Sequence, residues 1–261
     1  MELDELAEAA RAAARAARDL LRTARPEHVR AKGNPRDLVT EWDLRSEELI
    51  RRVLAERTPG IPILGEEGGQ GAGSANGLRW LVDPIDGTVN FAHGLPLWCV
   101  SIALEQHDTI ACGVVVAPAL DWWFEATLGG GARDGTGAAL RVSPTQQLEH
   151  ALLATGFPYD RATNPDNNFA TWEHMKRVAT VRRLGAAALD LCLVAKGALD
   201  GYWETRLQPW DLAAGALIVA EAGGTVTDTR GGPFDPHSGE AAATNGAIHE
   251  GLVRELGQVR R

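Results

Sequence analysis

Two clusters of acids each stand directly after a short apolar run: Glu66-Glu67 after Ile61 to Gly65, and Asp83-Pro84-Ile85-Asp86 after Arg79 to Val82. Short apolar runs bounded by Gly, Pro or Asp read as strands, so both clusters are expected at strand ends. Pro84 is expected to turn the chain just after Asp83, which lets Asp83 and Asp86 point into one small volume. Facing carboxylates that are partly desolvated repel at a cost on the order of several kcal/mol, relieved by a shared proton, a basic partner or a cation. Arg79 is the one base close by in sequence, against four acids. A hard divalent cation is therefore the expected neutraliser, and an all-oxygen ligand set favours magnesium over zinc. Next to the acids, Gly87-Thr88-Val89-Asn90-Phe91 reads as the opening turn of a short helix whose N–H groups would hold an anion. Cations beside such a turn describe a phosphate site.

The rest of the chain reads as an ordinary folded protein. Its 261 residues carry a formal charge of −9, which disfavours a nucleic-acid partner. Three cysteines without a CxxC pair, Cys99, Cys112 and Cys192, read as buried thiols. The acid- and arginine-rich start lacks the apolar stretch of a signal peptide or membrane span, so a cytoplasmic address and no membrane partner are expected. Residues 3 to 24 read as a long amphipathic packing helix, and residues 28 to 39 as a hairpin. Thr40 reads as the N-cap of a helix to about Arg57, with Asp43 in the capping-box position. Strands are expected at 61–65, 79–83, 99–105 and 110–118, and Gly68 to Gly73 as a mobile loop. The second half, from about residue 140, interleaves strands at 151–155, 180–184 and 200–204 with helices at 167–177, 186–196 and 212–222. An N-terminal α+β half (1–140) and a C-terminal α/β half (141–261) are expected to form one unit with the site between them.

Three segments carry a resemblance: Gly65-Glu66-Glu67; Trp80-Leu81-Val82-Asp83-Pro84-Ile85-Asp86-Gly87-Thr88-Val89-Asn90-Phe91; and Pro209-Trp210-Asp211-Leu212-Ala213-Ala214-Gly215-Ala216 with Glu221-Ala222-Gly223-Gly224. In order and in residues, they resemble the inositol monophosphatase family. The resemblance implies lithium-sensitive, magnesium-dependent phosphomonoesterases, usually homodimeric, with an αβαβα sandwich like that of fructose-1,6-bisphosphatase. It implies two to three Mg²⁺ ions: Glu66, Asp83 and the Ile85 carbonyl at the first, Asp83, Asp86 and Asp211 at the second, and a weaker third resting on Glu66 through water. Glu67 would support these ligands, and Thr88 with Asp43 would orient the attacking water. Asp86, Gly87, Thr88 and Asp211 would face the phosphate, while Gly185, Ala187 and Glu204 would meet the polyol. Ala186 stands where the family often has Ser or Thr, which leaves the ring contact there to backbone groups.

Other chemistries are poorly supported. The seven histidines show no ligand spacing, no Gly-x-Ser-x-Gly elbow occurs, and Trp122-Trp123 on a strand read as core and subunit packing. Lys32 matches a family lysine near the metal loop, with a solvated side chain as the other reading. Hydrolysis of inositol monophosphate is the expected activity. The alternatives are fructose 1,6-bisphosphate, histidinol phosphate or adenosine bisphosphate as substrate, or a regulatory role with the transcription machinery.

Overall fold

The computed structural model describes residues 1–70 and 77–259. Helix α1 (Leu3–Leu21) buries a stripe of small residues, Ala10, Ala13, Ala14 and Ala17, between Leu6 and Leu21. Small side chains at helical spacing let its backbone lie close to its neighbours, and the packing helix read from sequence is what forms. It ends at Leu21, three residues early. Strands β1 (Val29–Ala31) and β2 (Leu38–Thr40) make the expected antiparallel hairpin. Helix α2 (Glu41–Arg57) starts as its sequence dictates: Trp42 N–H donates to the Thr40 hydroxyl, and the Asp43 carboxylate accepts from Thr40 N–H at 2.8 Å.

A seven-stranded sheet follows, built from β3 (Ile63–Gly65), β4 (Gly69–Gln70), β5 (Leu78–Asp86), β6 (Cys99–Gln106), β7 (Thr109–Ala117), β8 (Trp122–Thr127) and β9 (Gly131–Asp134). Its order is β4-β3-β5-β6-β7-β8-β9, antiparallel throughout except for the β3–β5 pair. Helix α3 (Thr88–Ala92) sits between β5 and β6. A five-stranded mixed sheet, in order β11-β10-β12-β14-β13, uses β10 (Leu152–Thr155), β11 (Thr180–Arg182), β12 (Gly201–Thr205), β13 (Thr225–Thr227) and β14 (Glu240–Thr244). Four more helices complete the chain: α4 (Phe169–Met175), α5 (Ala187–Ala195), α6 (Pro209–Glu221) and α7 (His249–Val259).

The layers stack as α1/α2, seven-stranded sheet, α5/α6, five-stranded sheet, α4/α7, which is the expected αβαβα order. Helices α5 and α6 lie between two sheets and are apolar on nearly every face, as a helix covered on both sides must be. Gly113 on β7 shows how close the layers come: a Cβ there would meet the Ala214 Cα of α6 at 2.8 Å.

The structure corrects three local expectations. Pro84 does not end its strand; β5 continues to Asp86, and the pairing with β6 shifts register between Asp83 and Asp86. A bulge is where a sheet tolerates proline, and it, rather than a turn, re-aims the two aspartates. Helix α6 begins at Pro209 instead of Leu212, which places Asp211 in its first turn. Of the expected loop at 68–73, Gly68 lies in a turn, Gly69–Gln70 pair with β3 as β4, and residues 71–73 lie outside the described residues. Among the described residues no helix is long and apolar enough to cross a membrane.

Candidate active site

Strand β5 delivers the first acids. Around the bulge, Ile85 N–H donates to Asp83 Oδ1 at 2.9 Å, and the Ser46 hydroxyl of α2 donates to the Pro84 carbonyl at 3.1 Å. Asp83 and Asp86 are both buried. Asp86 reaches across the molecule: its Oδ2 accepts from Ala188 N–H at 2.7 Å, in the first turn of α5, where the cap residue Ala186 offers no side-chain acceptor. A carboxylate from the opposite sheet layer thus satisfies the helix terminus, with the favourable charge for that end. Asp211 Oδ2 likewise closes its own helix start by accepting from Gln208 N–H at 2.8 Å.

These acids line a cavity of about 470 Å³ together with Glu66, Ile85, Gly87, Thr88, Gly185, Ala187 and Glu204. Every residue expected to touch metal or substrate is on its wall. Asp43 and Glu67 are not; they lie behind it. Asp43 is fully buried and accepts from the Thr40 hydroxyl at 2.5 Å and the Thr88 hydroxyl at 3.0 Å. The Thr88 hydroxyl also stands 2.9 Å from the Ile85 carbonyl, so its single proton is shared between two acceptors. A larger hollow of about 900 Å³ opens beside Thr205–Gln208 but contains none of the expected site carboxylates. Chemistry, not size, marks the site.

The electrostatics follow from burial and crowding. Burial pushes the Asp86 carboxyl up to about 6. It pushes Glu66 up to about 7, against the pull of Lys32. Asp83 is raised well above the carboxylate range by burial and by Glu66, Asp86 and Asp211, and Asp211 by burial and by Asp86. Among the described residues no three acidic, histidine or cysteine side chains already stand at metal-holding spacing. The donor set still fits a hard divalent ion: four carboxylates and a carbonyl, all oxygen, face one cavity and carry more negative charge than their protein partners offset.

The base that partly offsets them is Lys32, not Arg79. Lys32 Nζ donates to Glu66 Oε1 at 2.9 Å and to Glu67 Oε1. Burial alone would lower its pKa, yet the two glutamates raise it, so the ammonium stays charged. Arg79 lies away from the cluster, donating through Nε to Glu105 Oε2 at 2.9 Å with His237 alongside.

The opposite wall is less acidic. Glu204 is buried and pushed up to about 7, chiefly by desolvation, while its Oε2 accepts from the Tyr202 hydroxyl at 2.7 Å. Tyr202 and Glu204 are two apart on β12 and so share a face, a spacing that could have flagged the tyrosine in the sequence. Arg183, Asp37 and Tyr159 also line the cavity; no periodic signal marks them. Gly185 sits at φ +95°, with Asn90 Nδ2 of α3 donating to the neighbouring Leu184 carbonyl at 2.8 Å. Trp210 lines the cavity, and its carbonyl accepts from the Ser101 hydroxyl at 2.9 Å. The three cysteines are buried free thiols.

Comparison with known proteins places the chain in a family. Residues 2–261 match the model of the inositol monophosphatase family, and the chain belongs to that family. It is 43% identical over 231 residues to an inositol-1-monophosphatase of Synechocystis sp., covering 88% of this chain and 80% of the relative. A Pseudomonas aeruginosa protein named Nus factor SuhB is 41% identical, covering 85% of this chain and 83% of its own length. The solved structure of an inositol monophosphatase from Anabaena (Nostoc) sp. superposes with a TM-score of 0.86 at 39% identity, covering 98% of this chain and 95% of the other.

Proposed function

We propose that this protein is a magnesium-dependent phosphatase that hydrolyses inositol monophosphate to inositol and phosphate. The observation that carries the reading is the convergence of Glu66, Asp83, Asp86 and Asp211 on one cavity, with the Thr88–Asp43 pair at its edge and Glu204 facing them. Glu66, Asp83 and the Ile85 carbonyl would hold one Mg²⁺, and Asp83, Asp86 and Asp211 a second, with a third resting on Glu66. When bound, these ions supply charge neutralisation at the phosphoryl oxygens and activation of water.

The chain's own residues do the remainder. Asp43, an acceptor held by Thr40, accepts a hydrogen bond from the Thr88 hydroxyl, so that the threonine oxygen can in turn accept from the attacking water and aim it. Backbone N–H groups of Gly87 and Thr88 grip the phosphate. On the far wall, Glu204 and the backbone of Gly185 and Ala187 receive the hydroxyls of the polyol, and a substrate lacking them would leave a buried acid unpaired. Lys32 and Glu67 hold the Glu66 side in place. We further propose that residues 1–140 and 141–261 work as one unit, that lithium competes for the same oxygen ligands, and that the protein is a cytoplasmic homodimer. The buried free thiols support the cytoplasmic placement.

A second reading, a regulatory role with the transcription machinery, is favoured by the relative named Nus factor SuhB. The net charge of −9 speaks against direct RNA contact in that role. Phosphate release from inositol, fructose, histidinol and adenosine phosphates, each with and without magnesium, tests the primary reading. Release from inositol monophosphate only with magnesium is expected; no release from any of them would favour the binding role.

A further inference from the structure

Helix α2 touches the site at three points along one face. Asp43 in its first turn holds Thr88, Ser46 holds the Pro84 carbonyl, and Glu47, one turn beyond Asp43, holds the other acid-bearing loop. Glu47 is 3% exposed, and both of its oxygens are used on that loop. Oε2 accepts from Glu67 N–H at 2.7 Å, and Oε1 accepts from Gly68 N–H at 2.7 Å and from Arg51 Nε at 2.6 Å. Arg51 extends the grip by donating to the Gly69 carbonyl at 3.0 Å.

The two glycines flanking Glu66-Glu67 are explained by the same contact. A Cβ on Gly65 would meet the Glu47 carboxyl at 2.7 Å, and a Cβ on Gly68 would meet Oε1 at 2.6 Å. The loop is thus wrapped around one buried carboxylate at a spacing where any Cβ would displace it. No metal contact is assigned to Glu47, and the cavity wall does not include it.

We propose that Glu47 is a positioning residue for the metal site: by gripping the backbone on the C-terminal side of Glu66, it sets where the Glu66 carboxylate stands relative to Asp83. The inference rests on the reading of Glu66 and Asp83 as metal ligands. Lys32 steers the Glu66 side chain from the cavity side, while Glu47 fixes the backbone from behind. The same helix therefore registers the water-aiming Thr88 against the metal-binding Glu66, two groups from different loops that must act on one phosphate.

The test is Mn²⁺ binding to the full chain, read from the electron paramagnetic resonance signal of free Mn²⁺, with no substrate present. Wild type, Glu47→Gln, Glu47→Asp, Gly68→Ala and Asp83→Asn are compared, with melting in a chelator to monitor folding. Glu47→Gln should weaken Mn²⁺ binding about tenfold, because the amide NH₂ would replace one carboxylate oxygen and face a loop N–H donor instead of accepting from it. Glu47→Asp should recover part of the loss. Gly68→Ala keeps every charge but displaces the carboxylate, and should weaken binding to a similar degree. At saturating Mn²⁺ the KM for inositol monophosphate should stay within about twofold of wild type, a separation that general destabilisation would not produce.

Loss in Glu47→Gln but not in Gly68→Ala would mean that only the charge matters, and would overturn the proposal; so would unchanged binding in both. If Glu47→Gln does not fold, Gly68→Ala alone decides. Wild-type protein that binds no Mn²⁺, or binding that survives Asp83→Asn, would instead overturn the reading of the site and this inference with it.

Discussion

The two walls of the cavity are built on different principles. The acid wall comes from the seven-stranded sheet and its loops, where Glu66, Asp83 and Asp86 crowd together beside Lys32 of the β1–β2 hairpin and their charges remain partly uncompensated. The far wall comes from α5 and β12, where the polar groups are spaced out and Glu204 already has a tyrosine partner. One wall stores a demand for cations; the other presents a shaped surface in which Glu204 already has a hydrogen-bond partner. Asp86 belongs to the first but is anchored on the second, through the Ala188 N–H of α5. A site of this kind separates reaction from recognition, and each can be struck without the other.

The sharpest break is Asp83→Asn, which removes the one acid facing Glu66, Asp86 and Asp211 together. Phosphate release should fall by roughly a thousandfold or more at saturating magnesium. Thr88→Ala should lower kcat by roughly a hundredfold with little change in KM, and Thr88→Ser should restore much of it, because what matters is a hydroxyl held by Asp43. On the far wall, Glu204→Gln should act on recognition instead. We expect KM for inositol monophosphate to rise about tenfold, with a smaller effect on a substrate lacking vicinal hydroxyls. Equal loss on both substrates would erase the distinction between the walls.

The smallest expected effect is on stability against pH. Glu204 and Glu66 in the folded protein hold their protons up to about 7, and Asp86 up to about 6. In the unfolded chain these groups ionise near the ordinary carboxylate value of about 4. The folded state therefore binds more protons than the unfolded state between those limits, and stability falls as pH rises through that window. Metal-free protein should melt several degrees lower at pH 7.5 than at pH 5. Magnesium should remove most of the difference, because the acid wall contributes most of the strained groups. A melting temperature independent of pH without metal would contradict the electrostatic account.

Much of the acid wall was legible in the sequence because its residues sit next to recognisable strand ends and turn residues. Thr40 with Asp43, and the clusters at 66–67 and 83–86, announce themselves locally. What was not legible is whatever needs the third dimension. Lys32 lies 34 residues from Glu66, so the nearer Arg79 looked like the only base, although its true partner is Glu105. The proline at 84 suggested a turn, since nothing local distinguishes a turn from a bulge inside a paired strand. Strand β14 is built of Glu-Ala-Ala-Ala-Thr, residues of weak strand preference that extend only because β12 and β13 pair on either side. The far wall was readable at Glu204 and Gly185 through the family resemblance, but Arg183 and Tyr159 come from loops with no pattern.

The most direct measurement is an anomalous difference map from a crystal of this protein grown with Mn²⁺. We expect two or more peaks within the cavity, bounded by Glu66, Asp83, Asp86, Asp211 and the Ile85 carbonyl, in wild type and none in Asp83→Asn. An empty cavity in crystals of protein that still cleaves inositol monophosphate would show that these acids serve some other chemistry.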